Sequence, residues 1–152
     1  MKKLLSAILH TNVSSLQLGL YLLIYRVTIS LSLFFVHGLP KIADFDAEVA
    51  TIPDPVGIGQ YPSALIGVFA NLVCPLFISM GLFTRAFILP ILSITLIGYF
   101  IIHSSDPAKV RDVPFMYSVS FMLLLFTGPG RYSLDALLIN KIKKPMPGLA
   151  YD

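Results

Sequence analysis

Leu16-Gln17-Leu18-Gly19-Leu20-Tyr21-Leu22-Leu23-Ile24-Tyr25-Arg26-Val27-Thr28-Ile29-Ser30-Leu31-Ser32-Leu33-Phe34-Phe35-Val36 is a nearly unbroken apolar run carrying a single charge, at Arg26. A helix needs about 20 predominantly apolar residues to cross about 30 Å of hydrocarbon, and this run has that length. Three further runs qualify, at about 62–83, 86–102 and 113–127. The last two lie near the short limit, so their ends sit in the interface or the bilayer thins around them. The pattern predicts an all-α integral membrane four-helix bundle. It forms a single transmembrane domain over 1–152, with an outer loop at 37–61 and a C-terminal interfacial segment at 131–152.

Composition points the same way. Hydrophobic residues make up 56% of the 152 residues and charged residues 12%. Soluble domains carry about 25% charged residues, so water is not the main solvent of this surface. The length leaves no room for a separate soluble catalytic domain. The net charge of +3 does not mark a nucleic-acid binder, because the basic residues form no stripe with interleaved aromatics. Cys74 is the single cysteine, which excludes an internal disulfide, a dithiol relay and a thiolate zinc site within one chain. The start, Met1 to Leu9, resembles a signal peptide with a short apolar core. His10-Thr11-Asn12 interrupts it before any small-residue cleavage site, so a retained, interfacial N-terminus is expected.

Residues with backbone reasons mark the boundaries. Pro53-Asp54-Pro55 and the glycines Gly57 and Gly59 break the first loop. Gly81-Leu82-Phe83-Thr84-Arg85 predicts a tight turn, Asp106-Pro107 opens the third loop, and Gly128-Pro129-Gly130 ends the fourth span. Ser133 is a candidate N-cap for a short helix at 134–142, whose leucines lie in the interface while Lys141, Lys143 and Lys144 reach anionic headgroups; a plain solvated basic tail is the alternative. With the N-terminus inside, Lys2, Lys3, Arg85, Arg131, Lys141, Lys143 and Lys144 fall on the cytoplasmic side and only Lys41, Lys109 and Arg111 outside. The excess of basic residues predicts N-in, C-in.

Ionisable groups inside a span are costly, so each is a candidate site. Arg26 falls near the middle of the first span. His37 follows eleven residues later, which at about 100° per residue returns within about 20° of the same face, with Ser30 between. Asn71 lies nine residues inward from Pro62, at a depth that suits a hydrogen bond to Arg26. His103 and Tyr99 close the third span, Asp112 opens the fourth, and Tyr117 and Ser120 follow it. The candidate ligand-binding residues are therefore Arg26, His37, Asn71, Tyr99, His103, Asp112 and Tyr117. His37, Lys41, His103, Asp106 and Asp112 are expected to converge on one outer mouth above a polar seam that reaches Arg26. The structural alternative has Arg26 satisfying helix-end carbonyls and holding the bundle in register. Two histidines and a carboxylate suit a metal, but they lack motif spacing and no metal site is assigned. There is no Ser/His/Asp triad, phosphate-binding glycine loop or nucleotide fingerprint, so no catalytic residue is assigned.

Three segments in order resemble a known family. Leu22-Leu23-Ile24-Tyr25-Arg26 through His37-Gly38-Leu39-Pro40-Lys41 is similar to the opening arginine and HGLxK segment of DoxX proteins. Gly81-Leu82-Phe83-Thr84-Arg85 matches their GLxTR turn, and Gly128-Pro129-Gly130-Arg131-Tyr132-Ser133-Leu134-Asp135 resembles their GPGxxSxD segment. The resemblance covers about 18–138. It implies a four-helix protein of the bacterial or archaeal cytoplasmic membrane, associated with quinone-linked redox or oxidative-stress complexes. Two departures stand out: Asn71 occupies a second-span position where relatives often carry glutamate, and Asp112 replaces a glutamate. The leading expectation is a quinone-associated accessory subunit that holds no cofactor of its own and draws electrons from a partner protein. The alternatives are a non-catalytic assembly or anchoring protein, with the acidic stretch 42–59 as its contact surface, and a small-solute or proton transporter. The lipid bilayer is the expected surrounding and nucleic acid is not a partner.

Overall fold

A computed structural model of the chain describes residues 15–143, with side chains described to residue 141. The expectations for the N-terminal segment and for Lys143 and Lys144 fall outside the described side chains. Among the described residues every regular element is helical. Helix α1 spans Ser15–Ala43, α3 Gln60–Met80, α4 Thr84–Ile102 and α5 Ala108–Thr127; all four are long and apolar enough to cross a membrane. Short helices α2 (Phe45–Thr51) and α6 (Leu134–Lys143) sit after α1 and α5.

Two boundaries differ from the expectation. The segment 37–61 is not simply a loop: α1 runs on to Ala43 and α2 follows at once, its first turn capped by Asp44, which accepts from the Ala47 N–H at 3.1 Å. Helix α5 starts at Ala108 rather than near 113, because Pro107 is extended (ψ 150°) and sets its N-cap. The charges of Lys109, Arg111 and Asp112 that suggested a later start occupy a first turn outside the apolar run. The expected turns form as read. Gly81 (φ 72°) and Gly128 (φ 75°) take the left-handed conformation that spares glycine a steric penalty. The Ser133 hydroxyl accepts from the Ala136 N–H at 3.1 Å, capping α6.

Helix α4 packs along α5, and α1 along the second half of α3. Between them lie Leu33, Cys74, Ile78, Ile88, Ile91, Leu92, Phe121 and Leu124, all buried. The rings of Phe77 and Phe87 stack at 4.3 Å. Many large apolar side chains face outward, Phe126 with 74% of its surface free, as a lipid-facing surface requires. Lipid removes the hydrophobic drive between helices, so packing and interhelical hydrogen bonds hold such bundles. One of these bonds joins the Ser118 hydroxyl to Thr95 Oγ1 at 2.9 Å, between α5 and α4.

Three of the four long helices contain a π-helical turn: Phe34–Gly38 in α1, Phe69–Val73 in α3 and Gly98–Ile102 at the end of α4. A proline cannot donate to the carbonyl four residues before it. Pro40 thereby releases Val36 and Pro75 releases Asn71, each inside a π turn. The third turn has no such proline and is closed by the His103 N–H on the Gly98 carbonyl at 2.9 Å.

Candidate ligand-binding site

The first two π turns lie against each other, and Gly38 makes the approach close. A Cβ at Gly38 would come within 2.4 Å of the Asn71 carbonyl oxygen, so only glycine fits. Around this crossing opens a cavity of about 480 Å³. Each π turn contributes to its wall: His37 from α1, Asn71 from α3, and Gly98 and Ile102 from α4. π turns recur at functional sites because they displace side chains that a regular helix would align.

The polar groups of the cavity divide into spent and unspent. Thr95 Oγ1 donates to the Ile91 carbonyl at 3.0 Å and accepts from Ser118. The Tyr117 hydroxyl pairs with Ser32 Oγ at 3.0 Å, and its ring meets His37 edge-on at 5.3 Å. Lys41 forms an ion pair with Glu48 of α2. His103 Nδ1 lies 2.7 Å from Asp106 Oδ2. Asn71 differs: it is only 7% exposed, and its side-chain amide has no hydrogen-bond partner among the described residues. The ring nitrogens of His37 likewise make no hydrogen bond there. Buried polar groups are normally paired, so an unpaired amide bordering a cavity makes Asn71 a candidate contact for whatever fills it.

A strap covers one side of the cavity with Ile52, Pro53, Pro55, Val56 and Ile58. Asp54 fixes it. Its carboxylate accepts from the Gly59 N–H at 2.8 Å, the Ile58 N–H at 3.1 Å and the Ser63 hydroxyl at 3.0 Å. These bonds, the Gly59 N–H foremost, hold the Asp54 carboxyl below the usual carboxylate range against a smaller desolvation effect.

Of the seven residues singled out in the sequence, His37, Asn71, His103 and Tyr117 come together on this cavity. Tyr99 does not line it; its ring lies under the Arg111 guanidinium at 4.5 Å and beside Phe115. Asp112 is exposed and outside the lining. Arg26 lies at the opposite end of the bundle, 1% exposed. It donates to the carbonyls of Ser79 (3.3 Å), Tyr132 (3.0 Å) and Pro129, so the expected bond to Asn71 is not formed. Eleven residues separate Arg26 from His37, roughly 16 Å along a helix, and buried Leu33 lies between them. The polar seam is therefore interrupted, and Arg26 serves helix-end carbonyls. The sequence marks the strap only as a broken loop and, in the anchoring alternative, a contact surface, and it does not single out Ser63 or Thr95.

The glycine-rich segments meet at Arg26. A Cβ at Gly81 would stand 2.9 Å from the guanidinium and 2.5 Å from Ser133 Cβ. Asp135 accepts from the N–H groups of Phe83 (2.8 Å) and Thr84 (3.1 Å), and its own N–H reaches the Gly81 carbonyl at 2.9 Å. Arg85 Nε donates to the Leu125 carbonyl at 3.1 Å, near the end of α5.

Comparison with known proteins agrees with this architecture. The sequence model of the DoxX family matches residues 21–104, more than half of the chain. The inner membrane protein YphA of Escherichia coli (strain K12) is 32% identical over 123 residues, covering 75% of this chain and 87% of the relative. The inner membrane protein YqjF of the same organism is 31% identical over 113 residues, covering 72% and 85%. No solved structure matches. On the family match, the two relatives and four membrane-crossing helices, the chain belongs to the DoxX family and is a multi-pass protein of the inner membrane.

Proposed function

We propose that this chain is a quinone-associated accessory subunit of a membrane redox complex, and that its cavity holds the ligand's head. The observation that carries this reading is the unpaired Asn71 amide beside His37 in an apolar cavity of about 480 Å³. Small-molecule sites span about 300–1,000 Å³ and combine apolar walls with few polar groups. A quinone head is flat, apolar and edged with two oxygens, which matches such a wall and such a pair of contacts. Its electrons come from a partner protein and its isoprenoid tail lies among lipid. In the N-in, C-in orientation expected from the excess of basic residues, the cavity lies toward the outer leaflet.

Native mass spectrometry of the protein purified in mild detergent from its own membranes tests the reading. Wild-type particles carry a quinone, and Asn71→Leu particles of the same oligomeric state carry none. Wild-type particles free of quinone, or bound quinone that survives Asn71→Leu, overturn it. Arg26→Ala is the wrong probe, since its partners are backbone carbonyls at the other end.

A further inference from the structure

We infer that the cavity binds the reduced, hydroxyl-bearing form of the ring more tightly than the oxidised form. This inference rests on the quinone reading above and is drawn from the hydrogen-bonding capacity the cavity leaves unspent. The Asn71 amide offers two N–H donors and one carbonyl acceptor. A neutral His37 ring offers one donor and one acceptor. The Ser32–Tyr117 pair keeps one hydroxyl proton to give, because one hydroxyl donates to the other. Thr95 has already given its proton to the α4 backbone, and Ser118 has given its proton to Thr95 or to the Pro114 carbonyl.

Lys41 of α1, also in the wall, directs its ammonium to Glu48, and the remaining unspent groups on α1 and α3 are of mixed sign. An oxidised ring has only acceptor oxygens. Bound there, it satisfies N–H donors but leaves the Asn71 carbonyl and the bare His37 nitrogen without partners. The strap of Ile52, Pro53, Pro55, Val56 and Ile58 and the flanking Ile66, Ile94 and Val113 supply no substitute donor. A reduced ring carries two hydroxyls, each able to donate and accept. It satisfies both kinds of group, with the Asn71 amide free to present either end. Leaving a single acceptor unpaired in an apolar site is worth about a fivefold difference in affinity, so the reduced form binds at least about fivefold tighter.

The experiment uses the full chain in lipid nanodiscs and a short-tailed benzoquinone, decylubiquinone, kept oxidised in one titration and reduced to the quinol under anaerobic conditions in the other. Calorimetry reads both affinities. The expected result is tighter binding of the quinol by about fivefold or more in wild type, with neither form bound by Asn71→Leu. Equal affinities, or tighter binding of the quinone, overturn this inference and leave the proposed function standing. Binding of neither form overturns the proposed function and the inference with it. The wild-type comparison decides between these outcomes without any variant. A preference that persists in correctly folded Asn71→Leu removes Asn71 as its source and overturns the assignment.

Discussion

The two ends of the bundle treat buried polar groups in opposite ways. At the Arg26 end a charge is buried and spent: the guanidinium reaches three backbone carbonyls on α3 and the segment after α5, and Asp135 caps the start of α4. Thr84 Oγ1, and Ser30 Oγ one turn along α1 from Arg26, are the buried side-chain atoms on that side left without a partner among the described residues. At the His37 end most polar groups are paired, but the buried Asn71 amide and the half-buried His37 ring are left unspent beside a cavity rather than a packed core. An unpaired donor or acceptor in an apolar setting costs about 1–3 kcal/mol. On the proposed function, a fold that satisfies its arginine at one end and leaves an amide unpaired at the other holds the first for stability and the second for a ligand.

The sharpest way to break this comparison is at Arg26. Arg26→Ala strands three carbonyls and opens a void, and it should destabilise the protein by on the order of 3–5 kcal/mol, seen as a collapse of the thermal midpoint in detergent. A midpoint near wild type contradicts the structural role. Gly81→Ala acts at the same end. Its φ of 72° and a Cβ 2.5 Å from Ser133 Cβ should cost roughly 2–3 kcal/mol, read by the same measurement.

Gly38→Ala tests the cavity end through its backbone. The added methyl meets the Asn71 carbonyl and must push α1 from α3. The expected loss is about 1–2 kcal/mol, with ligand affinity falling because His37 and Asn71 move apart. Unchanged affinity detaches the crossing from the site. Asp54→Ala has the smallest effect. The thermal midpoint should stay close to wild type, while the amides of Ile58 and Gly59 exchange faster with solvent. The pH dependence follows from the direction of the shift. A carboxyl whose folded pKa is depressed contributes above its unfolded value, about 3.9, and its contribution is lost as pH falls through the lower folded value. Protection of those two amides in wild type should therefore persist at neutral pH and fade only in acid below the usual carboxylate range. Loss of protection already near pH 6 contradicts the clamp.

Much of the bundle was legible because its signals are local and chemical. Apolar run length marks the four spans, and Gly81, Gly128 and Ser133 mark turns and a cap that form where the residues indicate. The site was legible in part. His37, Lys41, His103, Asp106 and Asp112 are expected on one mouth; the first three do share a cavity with Asn71 and Tyr117, and the two aspartates do not line it. The link to Arg26 was not legible, for two physical reasons. The count of about 100° per residue assumes an unbroken α-helix, and the π turn at Phe34–Gly38, which contains His37, widens that turn by a residue. Depth was also counted from a span beginning near 16 and ending near 36, whereas α1 continues to Ala43. Arg26 thus lies nearer the α3–α4 turn than the middle of the bundle. Asp112 and Tyr99 failed to join the cavity because α5 begins a turn earlier than its charges suggested, leaving Asp112 exposed and Tyr99 under Arg111.

The central claim is that Asn71 is kept for a ligand and not for the fold, and thermal unfolding of Asn71→Leu in lipid nanodiscs, with and without the reduced short-tailed quinone, tests it most directly. Replacing an unpaired amide by an apolar side chain of similar size should leave the ligand-free midpoint at or slightly above wild type, and should abolish the upward shift that the ligand gives wild type. A ligand-free midpoint that falls as it does for Arg26→Ala, or a ligand-induced shift that survives the substitution, would contradict the account.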